Sequence, residues 1–108
     1  MNVYTDNSGK RPTIDLSLGE ISRGPGERHK LSRIESALLA CLLGQAGRPV
    51  TRAALLAGVW RLDPPRTVTR TVDMHISMLR KKLGDNSRNP ALLLTVHGVG
   101  YMMLPLAA

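Results

Sequence analysis

The sequence has little cysteine and no long hydrophobic run. Cys41 is the only cysteine among 108 residues, so no disulfide can form within the chain and a reducing compartment is expected. Its neighbours are apolar, which favours a buried thiol over a nucleophile. The longest apolar run, residues 37–43, is too short to cross a bilayer, and the polar first dozen residues do not resemble a signal peptide. These absences predict a soluble cytoplasmic protein.

Catalytic and metal-binding motifs are also missing. His29, His75 and His97 are scattered among different predicted elements, and their spacings with Cys41 match no known ligand pattern. The sequence contains no H-E-x-x-H motif, nucleophile elbow or phosphate-binding loop. We therefore expect no enzyme activity, no metal site and no cofactor. A length of 108 residues fits one domain and leaves no room for a separate catalytic or sensory domain of ordinary size.

Acidic residues are few relative to basic ones. The chain has 8 Asp and Glu against 15 Lys and Arg, a formal net charge of +7 and a pI near 10.5. A hydrophobic fraction of 43% argues against a merely disordered basic tail. This balance favours an anionic partner, and nucleic acid and an acidic membrane surface both attract clustered Lys and Arg.

The N-terminal part predicts a short antiparallel sheet. Residues 1–12 are polar and are interpreted as a flexible arm, with the domain covering residues 13–108. Residues 13–22 (TIDLSLGEIS) alternate apolar and polar side chains as far as Leu18, which is the pattern of a half-buried strand. A turn rich in Gly and Pro precedes a second strand at residues 28–31.

Two helices follow the predicted sheet. Ser32 and Glu35 form the S-x-x-E pattern of a capping box, and the wide apolar stripe after it implies a largely buried helix. Gly44 and Gly47 mark the end of this helix. Thr51 is the predicted N-cap of a second, shorter helix that faces the same core.

The third helix lies in the locally most positive segment, residues 69–83 (TRTVDMHISMLRKKL). At 100° per residue, Ile76, Leu79 and Leu83 fall within about 40° of Val72, so this stripe is the predicted core side. The opposite side is free to bind a partner. It carries Arg70, Met74, Ser77, Met78 and Lys81, with Arg66, Arg80 and Lys82 on its flanks or at the entrance of the helix.

The C-terminal part predicts a β-hairpin. The pattern predicts two strands, at residues 92–96 and 101–104, joined by a turn at residues 97–100. A sheet, a short helix, a turn, a basic helix and a hairpin make the plan of an α+β winged helix-turn-helix, whose second helix of the pair enters the DNA major groove. The residues alone leave a second interpretation open, in which the basic helix is only a solvated face.

Several motifs resemble one known family. Residues 70–76 (RTVDMHI), 79–83 (LRKKL) and 95–101 (TVHGVGY), together with Leu31-Ser32 and Val59-Trp60, are similar to the effector domain of OmpR/PhoB-type response regulators. The resemblance runs from about residue 13 to residue 104. It implies an N-terminal antiparallel sheet, three helices and a C-terminal wing. It also implies sequence-specific binding to double-stranded promoter DNA, rather than to a membrane, in a transcriptional regulator.

The resemblance and the helix angles together give a set of expected DNA contacts. Arg70, Thr71, His75 and Arg80 match positions where the family commonly touches DNA, chiefly at phosphates. The full predicted set is Arg66, Arg70, Thr71, Met74, His75, Ser77, Met78, Arg80, Lys81, Thr95 and His97. A packed side chain with a structural hydrogen bond remains an open alternative for His75.

Other residues near this set are expected to serve the structure. Asp73 would repel phosphate, so a salt-bridge or capping role is expected for it. Gly98 and Gly100 are assigned to the wing turn, and Trp60 and Tyr101 to the core.

Two features depart from the family pattern. Ser77 and Met78 stand where long polar residues are common in the family, and His97 stands where the wing often has arginine. The DNA-sequence specificity of other family members therefore cannot be assigned to this chain. A phosphoacceptor receiver domain usually precedes this module, whereas here only the polar arm does. The chain is either stand-alone or excised from a longer regulator, and the opening methionine favours a complete gene product.

Expectations about partners complete this interpretation. The loop from Arg61 to Thr69 contains two prolines, and the resemblance implies that it can contact RNA polymerase. We expect a monomer in solution that pairs in tandem on DNA. The alternative function is a protein-interaction module of winged-helix shape that binds polymerase or another regulator.

Overall fold

The computed structural model describes residues 3–4, 12–24, 26–61, 70–85 and 92–106. The elements in these ranges, in chain order, are β1 (Val3–Tyr4), β2 (Thr13–Asp15), β3 (Glu20–Gly24), β4 (Glu27–Lys30), α1 (Arg33–Gly44), β5 (Val50–Thr51), α2 (Arg52–Leu55, continued by a π-helical turn at Leu56–Trp60), α3 (Arg70–Leu83), β6 (Leu93–Val96) and β7 (Gly100–Met103). This order confirms the predicted α+β winged helix-turn-helix with a short N-terminal sheet, three helices and a C-terminal hairpin.

The N-terminal sheet has the order β1-β2-β3-β4, and all its pairs are antiparallel. Ile14 and Ile21 lie opposite each other on neighbouring strands, and both are fully buried. The sheet begins earlier than expected, because Val3 and Tyr4 already pair with Asp15 and Ile14. The description of residues 1–12 as a loose arm is therefore wrong for β1, and residues 5–11 lie outside the described ranges.

The first predicted strand ends sooner than its alternating pattern suggested. Oδ1 of Asp15 accepts hydrogen bonds from the backbone amides of Ser17 at 3.0 Å and Leu18 at 3.1 Å, which turns the chain after β2. Leu18 is consequently 62% exposed, although the alternation placed it on the apolar side of a half-buried strand. These hydrogen bonds also lower the pKa of Asp15.

Helix α1 begins at the predicted capping box. The Ser32 hydroxyl accepts from the Glu35 amide at 3.1 Å, and the Glu35 carboxylate accepts from the Ser32 amide at 2.7 Å. Leu38, Leu39 and Leu42 are fully buried, as the wide apolar stripe predicted. The thiol of Cys41 is partly buried beside this core, and burial raises its pKa, as expected for a packing residue.

A small second sheet joins the start of α2 to the hairpin. Its order is β5-β7-β6, and β5 was not predicted from the sequence. Thr51 caps α2 as expected, because its hydroxyl accepts from the Ala54 amide at 3.0 Å. Gly100 lies in β7 opposite Thr51, where a Cβ atom would overlap the carbonyl oxygen of Val50. The assignment of Gly100 to the wing turn was therefore wrong, since it permits close approach of two strands.

One hydrophobic core joins the helices to both sheets. The predicted core side of α3 is confirmed, because Val72, Ile76 and Leu79 are fully buried and Leu83 nearly so. Tyr101 is buried in the same core, and Trp60 packs against it. Among the described helices, none combines the length and apolar character that a bilayer-spanning segment requires.

Candidate nucleic-acid interface

One face of α3 is exposed along the helix, opposite the core. Its side chains are Arg70, Met74, Ser77, Met78 and Lys81, which we call the α3 face. Their exposure agrees with the outward angles calculated from the sequence. The α3 face carries two cations, a hydroxyl and two thioethers, and no acid. It can therefore meet an anionic surface with donors at its ends and apolar atoms in between.

His75 and Thr71 lie at the edge of the α3 face and are partly buried. Nδ1 of His75 is 2.8 Å from the carbonyl oxygen of Thr71, so it bonds this oxygen when it carries the hydrogen. The imidazole also meets the ring of Trp60 edge to face, with centroids 5.2 Å apart. This geometry matches the structural interpretation of His75. Contact of DNA with His75 or Thr71 stays a prediction.

Arg80 is buried, although it belongs to the predicted set of DNA contacts. It is 8% exposed, and its Nε and Nη2 donate to the carbonyl oxygen of Leu93 at 3.1 and 2.9 Å. Nη2 also donates to the Thr95 hydroxyl at 2.7 Å, and the guanidinium lies 5.5 Å from the centre of the Tyr101 ring. We correct the interpretation of Arg80 accordingly: it ties α3 to the hairpin and is not part of the exposed face.

The wing is the β6–β7 hairpin with the exposed turn of residues 97–99. The Val99 amide donates to the carbonyl oxygen of Val96 at 2.9 Å, and Gly98 has a φ of +77°, which explains the glycine there. His97 is exposed at this turn, as predicted, whereas the hydroxyl of Thr95 is already engaged by Arg80. Arg66 and the rest of residues 62–69 lie outside the described ranges.

The expected salt-bridge role of Asp73 is confirmed. Its Oδ1 accepts from Nε of Arg52 at 2.7 Å and from the Tyr101 hydroxyl at 2.5 Å. The Arg52 guanidinium also lies 5.0 Å from the centre of the Tyr101 ring. Burial raises the pKa of Tyr101, and its hydrogen bond to Asp73 adds to this effect. The one acid in the first turn of α3 is thus neutralised, and α2, α3 and β7 are joined.

A second ion pair fixes the C-terminal end of α3. Nζ of Lys82 donates to Oε1 of Glu35 at 2.6 Å and to the carbonyl oxygen of Lys30 at 2.8 Å. Glu35 is 1% exposed. Burial alone would raise its pKa, but the hydrogen bonds from Lys82 and Ser32 hold the pKa below its ordinary value. Lys82 therefore positions α3 against α1 and β4.

Sequence reasoning missed the residues that hold the α3 face in place. Nothing in the sequence indicated that α3 is positioned by Arg52, Glu35 and Lys82. At Glu35, the sequence predicted only the capping box. A pairing signal for Asp73 and Tyr101 was also absent, because the two residues are 28 positions apart. In the part of the chain that the structure describes, no three His, Cys, Asp or Glu side chains are grouped as metal ligands would be.

Residues 26–103 match the model of a family described as "Transcriptional regulatory protein, C terminal". The chain belongs to this family. As an OmpR/PhoB-type effector domain, it is 43% identical over 90 residues to a probable transcriptional regulator, ycf27, of Cyanophora paradoxa. That alignment covers 82% of this chain and 37% of the relative, so the chain spans little more than a third of the length of this relative.

Solved structures of other effector domains share the same fold. The DNA-binding domain of RstA from Klebsiella pneumoniae, crystallised in complex with the RstA box, has a TM-score of 0.80 at 33% identity and covers 97% of this chain and 99% of its own. DrrB of Thermotoga maritima, an OmpR/PhoB homologue, has a TM-score of 0.75 at 33% identity, over 94% of this chain and 44% of its own. The effector-domain resemblance noted in the sequence is thereby confirmed.

Proposed function

We propose that this effector domain binds double-stranded DNA in a sequence-specific manner and so regulates transcription. The α3 face enters the major groove, and the exposed turn at residues 97–99 of the wing lies against the neighbouring groove. The observation that carries the proposal is the two-sided character of α3: Val72, Ile76 and Leu79 are fully buried on one side, while the α3 face is exposed on the other.

Charge supports the same partner. The exposed side chains of Arg70 and Lys81 lie at the two ends of the α3 face, where the phosphates of a groove wall would meet them. Asp73, which would repel phosphate, is turned to Arg52 and Tyr101. The RstA domain, similar over nearly the whole chain, was crystallised with its DNA box, which favours the same class of partner here.

Fluorescence anisotropy with labelled duplexes tests this function. The chain is titrated with random genomic duplexes at low and moderate salt, and sequences that bind are then selected from a random pool. We expect strong binding whose affinity falls steeply as salt rises, and enrichment of a defined sequence. Absence of salt-dependent binding to any duplex would contradict the proposal and favour the protein-interaction module.

Assembly on DNA is part of the proposal. A single small winged helix reads few bases, so useful specificity calls for two copies bound head to tail on direct repeats roughly one helical turn apart, about 10 base pairs. We propose a monomer in free solution that pairs on its target. Sedimentation of the free chain, followed by titration of one and of two half-sites, checks this. A stable dimer without DNA, or equal affinity for both sites, would contradict it.

We also propose that the domain works in the cytoplasm, where bacterial-type regulators meet chromosomal DNA. Contact of RNA polymerase with the loop from Arg61 to Thr69 stays a prediction, because residues 62–69 lie outside the described ranges. Crosslinking from Arg61, which is exposed, to polymerase subunits on a bound promoter would test it.

A further inference from the structure

Exposed large hydrophobic side chains are concentrated near the proposed DNA interface. Within the described ranges, those with the greatest exposure are Leu18 at 62%, Met74 at 58%, Met78 at 50% and Val99 at 42%. Two of these four belong to the α3 face, and Val99 belongs to the wing turn. The methionines are exposed apolar groups in the middle of a surface that otherwise carries hydrogen-bond donors.

We propose that Met74 and Met78 read the 5-methyl groups of thymines in the major groove. The inference rests on the proposed function and adds the chemical feature of the DNA that the α3 face recognises. Among the four bases, thymine alone presents a methyl group in the major groove, and apolar side chains recognise it by contact. A target site with thymines at the centre of each half-site follows from this.

The spacing of the two methionines fits neighbouring bases. Met74 and Met78 are four residues apart on α3, so their Cβ atoms are separated by roughly 5–6 Å. Successive bases of one strand rise by about 3.4 Å, and methionine side chains are long and flexible enough to adjust to this difference. The two methionines can therefore contact bases in adjacent base pairs, or in base pairs that are separated by one other.

The neighbours of the methionines decide between DNA and a protein partner. Arg70 and Lys81 lie at the ends of the α3 face, and at 100° per residue they fall within roughly 80° of both methionines. A groove with anionic walls and methyl groups inside matches this arrangement. Methionine has no hydrogen to donate, so it cannot bond the guanine acceptors in the major groove.

The test replaces thymine by deoxyuridine, which lacks only the methyl group. Each thymine of the selected half-site is replaced in turn, and dissociation constants are measured by anisotropy at constant salt. We expect enrichment of thymine in the selection. Each contacted methyl group that is removed should lower the affinity about fourfold, which corresponds to the transfer free energy of one buried methyl-sized group.

Variants connect the methyl effect to the two side chains. In Met74→Ala and Met78→Ala, replacement of the corresponding thymine should no longer weaken binding, because the partner of the methyl group is already gone. Leu18→Ala is the matched control: it removes an apolar side chain of similar exposure outside α3 and should keep the full methyl effect.

The outcomes separate this inference from the proposed function. Salt-dependent binding with no loss for any deoxyuridine duplex would overturn methyl reading and leave DNA binding intact. A methyl effect that persists unchanged in both methionine variants would also overturn it. Lack of binding to any duplex would overturn both proposals, and the methionines would then mark a protein-docking surface.

Discussion

Basic residues of the same helix have opposite environments. Arg70 is exposed at the start of α3, whereas Arg80 is buried under the hairpin with three hydrogen bonds to Leu93 and Thr95. Lys81 is exposed, whereas its neighbour Lys82 bonds Glu35. Mutations to alanine should therefore divide these cations into two groups, one that affects DNA affinity directly and one that affects the stability of the fold.

Arg70→Ala and Lys81→Ala are expected to weaken DNA binding without unfolding the domain. If each side chain neutralises one phosphate, each variant lowers the slope of log affinity against log salt by about one unit. The free energy of unfolding should change by less than about 0.5 kcal/mol, since both side chains are exposed. Anisotropy titrations over a salt series and urea denaturation measure the two quantities.

Arg28→Ala is the matched control for these variants, because Arg28 is an exposed arginine of β4 in the N-terminal sheet. It should leave the salt slope unchanged. Unchanged affinity in both Arg70→Ala and Lys81→Ala, or a loss seen only together with unfolding, would show that the α3 face does not bind phosphate.

Arg80→Ala is expected to show the reverse behaviour. Loss of its hydrogen bonds leaves the carbonyl oxygen of Leu93 without this buried donor, so the free energy of unfolding should fall by roughly 1–3 kcal/mol. DNA affinity should fall because the hairpin is no longer held, but the salt slope should stay the same. Urea denaturation and salt-dependent titrations check this. A lower slope at unchanged stability would restore Arg80 as a phosphate contact.

At the scale of elements, contacts from several directions fix the orientation of α3. Asp73 joins its first turn to α2 and β7, Arg80 joins its second half to the hairpin, and Lys82 joins its end to α1. The buried apolar stripe sets which side of α3 faces inward, and these polar contacts set its position relative to the wing. The two proposed DNA-binding elements are thus held as one unit.

Close approach of β5 and β7 is a second element-scale requirement. In Gly100→Ala the new Cβ would overlap the carbonyl oxygen of Val50, so the strands must separate, and the free energy of unfolding should fall by about 1–3 kcal/mol. Gly44→Ala is the control, because a Cβ there meets no neighbouring atom within 4 Å and Gly44 ends α1. Urea denaturation of both variants should give a large loss for Gly100→Ala alone. Equal stability of the two variants would show that β5 can shift without cost.

At the scale of the whole molecule, the ion pair of Glu35 and Lys82 connects the first and the last described helix of the domain. It joins the first turn of α1 to the last turn of α3, and the same ammonium group bonds the last residue of β4, Lys30. Because Glu35 is buried, protonation of its carboxyl affects all of these elements together. The stability of the domain should therefore depend on the ionisation of this one group.

Acid is expected to weaken the domain through Glu35. Its folded pKa is lower than the ordinary value of 4.5, so the unfolded state binds the proton more readily. The stabilisation is therefore present above pH 4.5 and is lost as the pH falls through the lower folded pKa. Urea denaturation at a series of pH values measures the loss.

Glu35→Gln should be less stable at neutral pH and should lose less stability on acidification. Asp15, whose pKa is also lowered, titrates in both proteins, so the difference between them isolates Glu35. Parallel pH curves for the two proteins would contradict the assignment.

The sequence by itself determined the features that depend on local order. The capping box of Ser32 and Glu35, the cap at Thr51 and the two sides of α3 follow from residues within a few positions of one another, where backbone geometry fixes the relation. The order of the three helices and the C-terminal hairpin, and with it the winged helix-turn-helix, could be predicted for the same reason. The exposed set from Arg70 to Lys81 belongs to this category.

Only the tertiary structure decided which polar residues pair with partners far away in the sequence. Arg80 meets Thr95 at a separation of 15 residues, Tyr101 meets Asp73 at 28 and Lys82 meets Glu35 at 47. Such pairs depend on how distant elements pack against one another. The angle of a residue around its helix does not show whether an arginine on the flank is exposed to solvent or covered by the hairpin. The strands at Val3–Tyr4 and Val50–Thr51 could not be predicted either, because their hydrogen-bonding partners come from other parts of the chain.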